Sequence, residues 1–306
     1  MKSVQNRIKE FVNYHINGDG ECNNTVLKEY ADEHCLTAQD RFDLAYFFSI
    51  TYCVCSATIL LNDRHLIKSN PLKYARANKQ HLIFQSDRKY VKMLNNFANT
   101  LKFWVDNLQD YKSQLGRMTD SGRLSLKKAI PYVQKWVFFG RFSAFLFLET
   151  LACLMRCEVE NYTIDWKNGS TATSGLMNVY GLDKYANEFD KKKKLDVPVE
   201  QMDNMLFSLA EKIKKEGGND DTTQVETSLC AYRKFYKGSR YNGFYLDRML
   251  GEIYHYINQK KYKSTAEEIL KLRAKLFPKK YLGELSGWNN IRPQMKKAYL
   301  LTGEIF

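Results

Sequence analysis

Between Leu44 and Leu61 the chain runs for 18 residues without a charge, LAYFFSITYCVCSATILL. A segment of this kind has to be covered, by lipid or by the rest of the protein, and its length just reaches that of a membrane span. Tyr46, Ser49, Thr51, Tyr52, Ser56 and Thr58 interrupt its apolar character, it has no strongly apolar centre, and no second uncharged span exists. A central helix buried in a globular body is therefore expected, as part of one helix from Ala38 to Leu61. A second run, Trp136 to Met155, carries only Arg141 and Glu149 as charges and reads as another buried helix, opened by Pro131.

Around these two runs the periodicity is helical. Residues 1–40 read as one or two amphipathic helices broken at Asn17-Gly18-Asp19-Gly20, with Thr37 capping the helix that follows. A basic patch of Lys73, Arg76 and Lys79 leads through Asp87-Arg88-Lys89 into a helical pattern whose apolar positions are Met93, Leu94, Phe97, Leu101 and Trp104. The hydroxyl-rich stretch Asp165 to Gly175 reads as a loop capping a short helix, and Gly217-Gly218 breaks the chain before a helix from Thr223 to Tyr236. Alternating strand patterns are scarce and Pro occurs only five times, so the fold class is all-α or mainly α and multi-helical. The 306 residues form a single domain, or two helical lobes with a hinge near 190–200, where Lys191 to Lys194 and Pro198 mark a solvated segment.

Charge and cysteine content narrow the setting. The chain holds 47 Lys and Arg against 34 Asp and Glu, a formal net charge of +13 that favours an anionic partner such as nucleic acid. Seven cysteines, mostly in apolar runs and without paired CxxC elements, give neither a disulfide framework nor a zinc site. With no apolar leader in MKSVQNRIKE, a cytoplasmic location is expected, away from any membrane. The five histidines show no HExxH or HxE spacing, and no GxxxxGK[ST], GxGxxG or GxSxG element occurs, so no metal or cofactor is expected.

Three groups of residues could carry chemistry. The string Arg240-Tyr241-Asn242-Gly243-Phe244-Tyr245-Leu246-Asp247-Arg248 mixes cations, an acid and rings, which is poor core material but suits a planar, phosphorylated ligand. On a helix Tyr241, Tyr245 and Arg248 would share one face with Asp247 beside it, with Arg233, Lys234 and Lys237 extending the positive charge; the rim of a helix interface and a solvated basic face are the plain readings. Glu149, in an almost wholly apolar run, must be paired, protonated or facing a cleft, as a general base or ligand-orienting acid or in a structural ion pair. Arg141 stands eight residues earlier, about 80° around a helix, and could contact an anion. Ser49, Tyr52, Cys53 and Ser56 form a polar stripe that lines a pocket or simply bonds back to the helix.

Taken together, five strings resemble one phage-associated family: Tyr46 to Ala57 (YFFSITYCVCSA), Phe139-Gly140-Arg141-Phe142-Ser143, Thr173-Ser174-Gly175-Leu176, Leu229-Cys230-Ala231-Tyr232 and Arg240 to Arg248. The chain is similar over roughly residues 40–255 to the alpha-glutamyl/putrescinyl thymine pyrophosphorylases, also called amino acid:DNA transferases. The resemblance implies a helical fold related in shape to DNA glycosylases. It implies a transferase that acts on DNA carrying 5-hydroxymethyluracil in place of thymine, activated as a phosphate or pyrophosphate, and that replaces the leaving group with an amine from an amino acid or polyamine. A bacteriophage origin is implied in the same way.

Such chemistry needs cations for the departing anion, a base for the amine proton and, in duplex DNA, base flipping. On the resemblance, Arg141, Arg240, Arg248 and Ser174 are expected to contact phosphate, Glu149 and Asp247 to orient or deprotonate the amine, and Tyr52, Tyr241 and Tyr245 to meet the base. A base-excision glycosylase, with the acid activating water, and a non-enzymatic DNA-binding protein are the alternatives.

Overall fold

A computed structural model describes residues 2–85, 90–160, 164–167 and 169–278. Among these residues the chain runs through α1 (Val4–Ile16), α2 (Cys22–Glu33), α3 (Ala38–Thr51), α4 (Val54–Asn62), α5 (Arg64–Ser69) and α6 (Pro71–Asn78). After a 3₁₀ turn at Lys79–His81 come α7 (Leu94–Asn107), α8 (Tyr111–Met118), the hairpin β1 (Thr119–Asp120) and β2 (Arg123–Leu124), α9 (Leu126–Val133) and α10 (Arg141–Met155). The rest is α11 (Ser170–Val179), α12 (Asp183–Lys192), α13 (Val199–Lys215), α14 (Thr222–Tyr236), α15 (Phe244–Ile257) and α16 (Lys263–Leu276). The protein is mainly α, as its periodicity predicts. The expected Asp87-Arg88-Lys89 segment and Asn168 lie outside the described residues.

The chain divides into two compact units, one built from residues up to Cys22 together with 161–246, the other from Asn23–Glu160 together with the segment that begins at Asp247. The division falls inside α15, and residues 190–200 lie within the first unit.

In the larger unit α3 packs on α10 and α4. The two apolar runs meet there through rings: Tyr46 stacks on Phe139 at 5.5 Å, and Phe147 meets Phe42 at 5.4 Å and Trp136 at 4.9 Å, both edge to face. Neither run is the helix its composition predicts. The first breaks at Tyr52, which sits in the left-handed region (φ 54°, ψ 37°), followed by extended Cys53. The carbonyl of Thr51 accepts the Gln85 N–H at 3.0 Å instead of continuing the helical ladder, while the Thr51 hydroxyl bonds back to the Phe47 carbonyl at 2.8 Å. The second run begins its helix only at Arg141, because turns and a left-handed Phe138 (φ 60°) intervene, and Pro131 lies within α9, which ends two residues later. No described helix is long and apolar enough to cross a membrane.

The serine hydroxyls of the stripe are absorbed by the fold. Ser49 and Thr58 bond back to the carbonyls of Tyr46 and Val54, and Ser56 donates to the Ile83 carbonyl at 2.9 Å while sharing a 2.6 Å bond with the Tyr256 hydroxyl.

The smaller unit packs α11 between α12 and α14, with α1 against α11, α13 and α14. The predicted break between α1 and α2 and the break before α14 are both present, and Asp221 caps α14 by accepting the Thr223 N–H at 2.8 Å. The predicted loop through Gly175 is instead helix from Ser170 onward. Its small residues serve close packing: a Cβ on Gly175 would lie 2.4 Å from the Leu229 carbonyl oxygen, so only glycine lets α11 and α14 approach this far.

Candidate functional site

The string Arg240 to Arg248 is more deeply placed than its composition suggests. Gly243 (φ 90°) turns the chain into α15, so Tyr241 precedes the helix and does not share the predicted face; Tyr245 and Arg248, three residues apart, do. Phe244, Tyr245, Asp247 and Arg248 are all buried. The Arg240 guanidinium lies over two rings at once, 4.4 Å from the Phe244 centroid and 4.7 Å from that of Tyr245, and Tyr241 packs its ring edge to face on Phe244 at 5.7 Å. A cation flat against an aromatic face gains quadrupole attraction while its edge donors stay available for other partners, which explains how so polar a string fits a core.

A residue that sequence reading passes over fixes this string. Asp19, in the Asn17 to Gly20 turn, accepts the N–H groups of Tyr245 (2.9 Å) and Leu246 (3.2 Å), so a carboxyl from one end of the chain caps α15. Tyr14 donates its hydroxyl to the other oxygen at 3.0 Å. Burial raises Asp19 to about 6, and these donors limit the rise. Only a capping-type residue in an otherwise turn-forming stretch hints at this role in the sequence.

The larger unit gathers a second constellation around Tyr52. The Arg248 guanidinium lies 5.2 Å from the Tyr52 ring centroid and its Nε is 3.4 Å from Glu252 Oε1, one helical turn further along α15. The Gln85 amide also donates to Glu252 Oε1. Glu252 is only 1 % exposed, and burial raises it to about 7, with the charge of Arg248 and the Cys53 thiol opposing. Burial also pushes the Cys53 and Cys55 thiols up, so neither offers a thiolate. Tyr52 itself is half-buried, and its ring packs edge to face on Phe48 (5.6 Å) and on the exposed Phe142 (5.8 Å). A left-handed tyrosine costs about 1–2 kcal/mol, strain that persists only where the surroundings impose it and that clusters at functional positions. Glu252 and Gln85 are absent from the sequence reading; the Arg-to-Glu spacing of four was the available signal for the first, and nothing local marks the second.

The remaining predicted residues are dispersed. Arg141 is the first residue of α10 and half-buried, whereas Glu149 is buried eight residues on, roughly 12 Å along the axis, so helix geometry separates them by two turns. Ser174, in the smaller unit, is fully buried and donates to Asp190 at 2.5 Å. Asp190 also binds Arg233 (2.5 Å) and Lys237; burial pushes it up, but bonds from Lys237, Ser174 and Arg233 outweigh that and hold it down at about 2. The positive charge read at Arg233 and Lys237 is thus partly neutralised inside the protein. Among the described residues no three His, Cys, Asp or Glu side chains gather as they would to hold a metal ion.

The larger unit thus brings together at one place a half-buried ring, a guanidinium over it and a buried carboxyl that titrates near neutral pH. A comparison with curated proteins finds no match. The family model described as amino acid:DNA transferase matches residues 36–241, two thirds of the chain, a span that includes Tyr52, Gln85, Arg141, Glu149 and Ser174 and stops short of Phe244 to Glu252. The chain belongs to the amino acid:DNA transferase family, whose name describes transfer of an amino acid onto DNA.

Proposed function

We propose that this protein replaces the phosphate or pyrophosphate on an activated 5-hydroxymethyluracil base in DNA with an amine drawn from an amino acid or a polyamine. The observation that carries this reading is the Tyr52, Arg248 and Glu252 constellation in a member of a DNA-acting family: a strained, half-buried ring, a guanidinium on its face, and a carboxyl that titrates near pH 7. In the reaction the amine nitrogen bonds to the exocyclic methylene carbon, the carbon–oxygen bond breaks with its electron pair leaving on the phosphate, and the ammonium proton passes to a carboxylate. Glu252 fits the proton acceptor best, because a base titrating near the working pH is both ionised and basic enough to act.

Within the larger unit, Arg248 and Arg141 stabilise phosphate in this scheme, Glu149 and Asp247 orient the amine, and Tyr52 meets the flipped base. The proposed setting is the cytoplasm of a phage-infected cell, where the base has been hydroxymethylated and phosphorylated beforehand. Mass spectrometry of nucleosides digested from such DNA, after incubation with the protein, amino acids and putrescine, tests the reading. An aminomethyl nucleoside is the expected product and identifies the donor; an abasic site assigns glycosylase chemistry instead, and unchanged DNA refutes the transfer.

A further inference from the structure

The segment from Arg64 to Gln85 contains five Lys or Arg residues and no Asp or Glu. Several cations elsewhere meet carboxylates, Lys194 with Asp196 at 3.0 Å, Lys214 with Asp220 at 3.2 Å, and Lys275 with both Glu29 and Glu33; this segment is set apart by holding no acidic residue of its own. Among the described residues no carboxylate pairs with Lys73, Arg76 or Lys79. Lys73 and Arg76 are exposed on α6, and Lys79 continues the same side into the 3₁₀ turn.

We propose that this face of α6 and the turn after it is a DNA-backbone contact surface of the larger unit, with Lys73, Arg76 and Lys79 each meeting a phosphate. The proposal rests on the DNA-directed activity proposed above, and it names where the polyanion docks. Spacing allows it, since Lys73 to Lys79 covers roughly 9 Å, against about 6.8 Å of duplex axis for the two steps between three successive phosphates of one strand, a difference that long Lys and Arg side chains span.

Rigidity supports it too. Asn70 caps α6 by accepting the Lys73 N–H at 2.9 Å, with Pro71 in the first turn. On the buried side the Tyr74 hydroxyl donates to Asp63 at 2.8 Å, and Asn78 accepts from Lys261 at 2.5 Å and from the Tyr262 hydroxyl at 3.1 Å. The cations are therefore presented on a backbone that is already ordered, which lowers the entropic cost of docking. The exposed apolar side chains here are Leu66 and Leu72, with no exposed Phe, Tyr or Trp to anchor in lipid, which favours DNA over an anionic membrane.

The test is binding of a fluorescein-labelled, unmodified 20-base-pair duplex across a NaCl series. A Lys73→Ser, Arg76→Ser, Lys79→Ser triple variant should bind at least ten-fold more weakly at low salt, with a log K against log salt slope shallower by roughly 2 to 3, at about 0.9 per lost phosphate contact. A Lys191→Ser, Lys192→Ser, Lys194→Ser variant, carrying the same charge change in the smaller unit, should keep the wild-type slope. A wild-type slope in the first variant overturns the surface while leaving the transferase reading intact. A wild-type protein that binds phosphatidylserine vesicles and not DNA, or binds neither, also overturns the surface, and the nucleoside digest then decides the transferase reading separately.

Discussion

Glu252→Gln keeps the shape of the side chain and its place beside Arg248 while removing the titrating carboxyl, and two consequences of that loss run in opposite directions with pH. Burial raises Glu252 from 4.5 to about 7, against the pull of Arg248 and Cys53. The folded protein therefore binds this proton more tightly than the unfolded chain does. The stabilisation is complete below pH 4.5 and is lost as pH rises through 7, and the interval corresponds to about 3 kcal/mol at about 1.36 kcal/mol per pH unit. Over the upper part of the same interval Glu252 ionises and becomes able to take the amine proton, so wild-type activity should rise through about pH 7 while this contribution to stability falls. The variant should lose about 10²- to 10⁴-fold in turnover, the range for removing a positioned base, and should lack the rise through pH 7. Its unfolding free energy, followed by urea titration from about pH 4.5 to pH 8, should decline less than that of the wild type by about 3 kcal/mol. A variant with wild-type turnover and an unchanged acid limb, or with a stability difference from wild type that is constant across that range, would refute the reasoning.

Asp19→Ala removes the acceptor for the Tyr245 and Leu246 N–H groups and should cost about 1–3 kcal/mol of stability in urea; Asp19→Asn keeps an acceptor oxygen, should cost less, and should remove the loss of stability expected from the raised Asp19 carboxyl as pH rises from 3.8 to about 6. Gly175→Ala places a methyl 2.4 Å from the Leu229 carbonyl oxygen, and the forced separation of α11 and α14 should cost about 1–3 kcal/mol, read as a lower melting temperature. At Tyr52, where φ is 54°, Gly should be more stable than Ala by about 1 kcal/mol although it is the weaker helix former, and both should lose transfer activity; an Ala variant at least as stable as Gly would show that the left-handed backbone is not maintained.

The helical class was legible because burial leaves a periodic trace, and local capping chemistry gave the Thr37 cap, the turn at 17–20 and the start of α14 near its position. What failed did so for nonlocal reasons. Nothing near Tyr52 announces that the Gln85 N–H will take the Thr51 carbonyl and end α3 there, and Ser and Thr before Gly175 look the same whether they serve a turn or a close helix contact. For the site, the strings drew attention to Tyr52 and Arg248, which do meet in space. Glu252 stayed hidden because an acid four residues after an arginine on a helix usually marks a solvated pair, and only burial makes it chemically distinctive. Asp19 stayed hidden because its partners lie 226 and 227 residues away.

Both compact units are assembled from separated stretches of chain, which bears on the order in which the molecule can be made. A ribosome that has released the first 160 residues has delivered α3, α4 and α10, yet α16 and most of α15, which belong to that unit, are still to be translated. At ordinary synthesis speed the gap lasts on the order of 10 s. During it Tyr52 and Gln85 wait without Arg248 and Glu252, and no simple truncation isolates either unit whole. Arg248 and Glu252 follow the whole 161–246 stretch of the smaller unit, so a nascent chain holds Tyr52 and Gln85 well before the constellation is assembled.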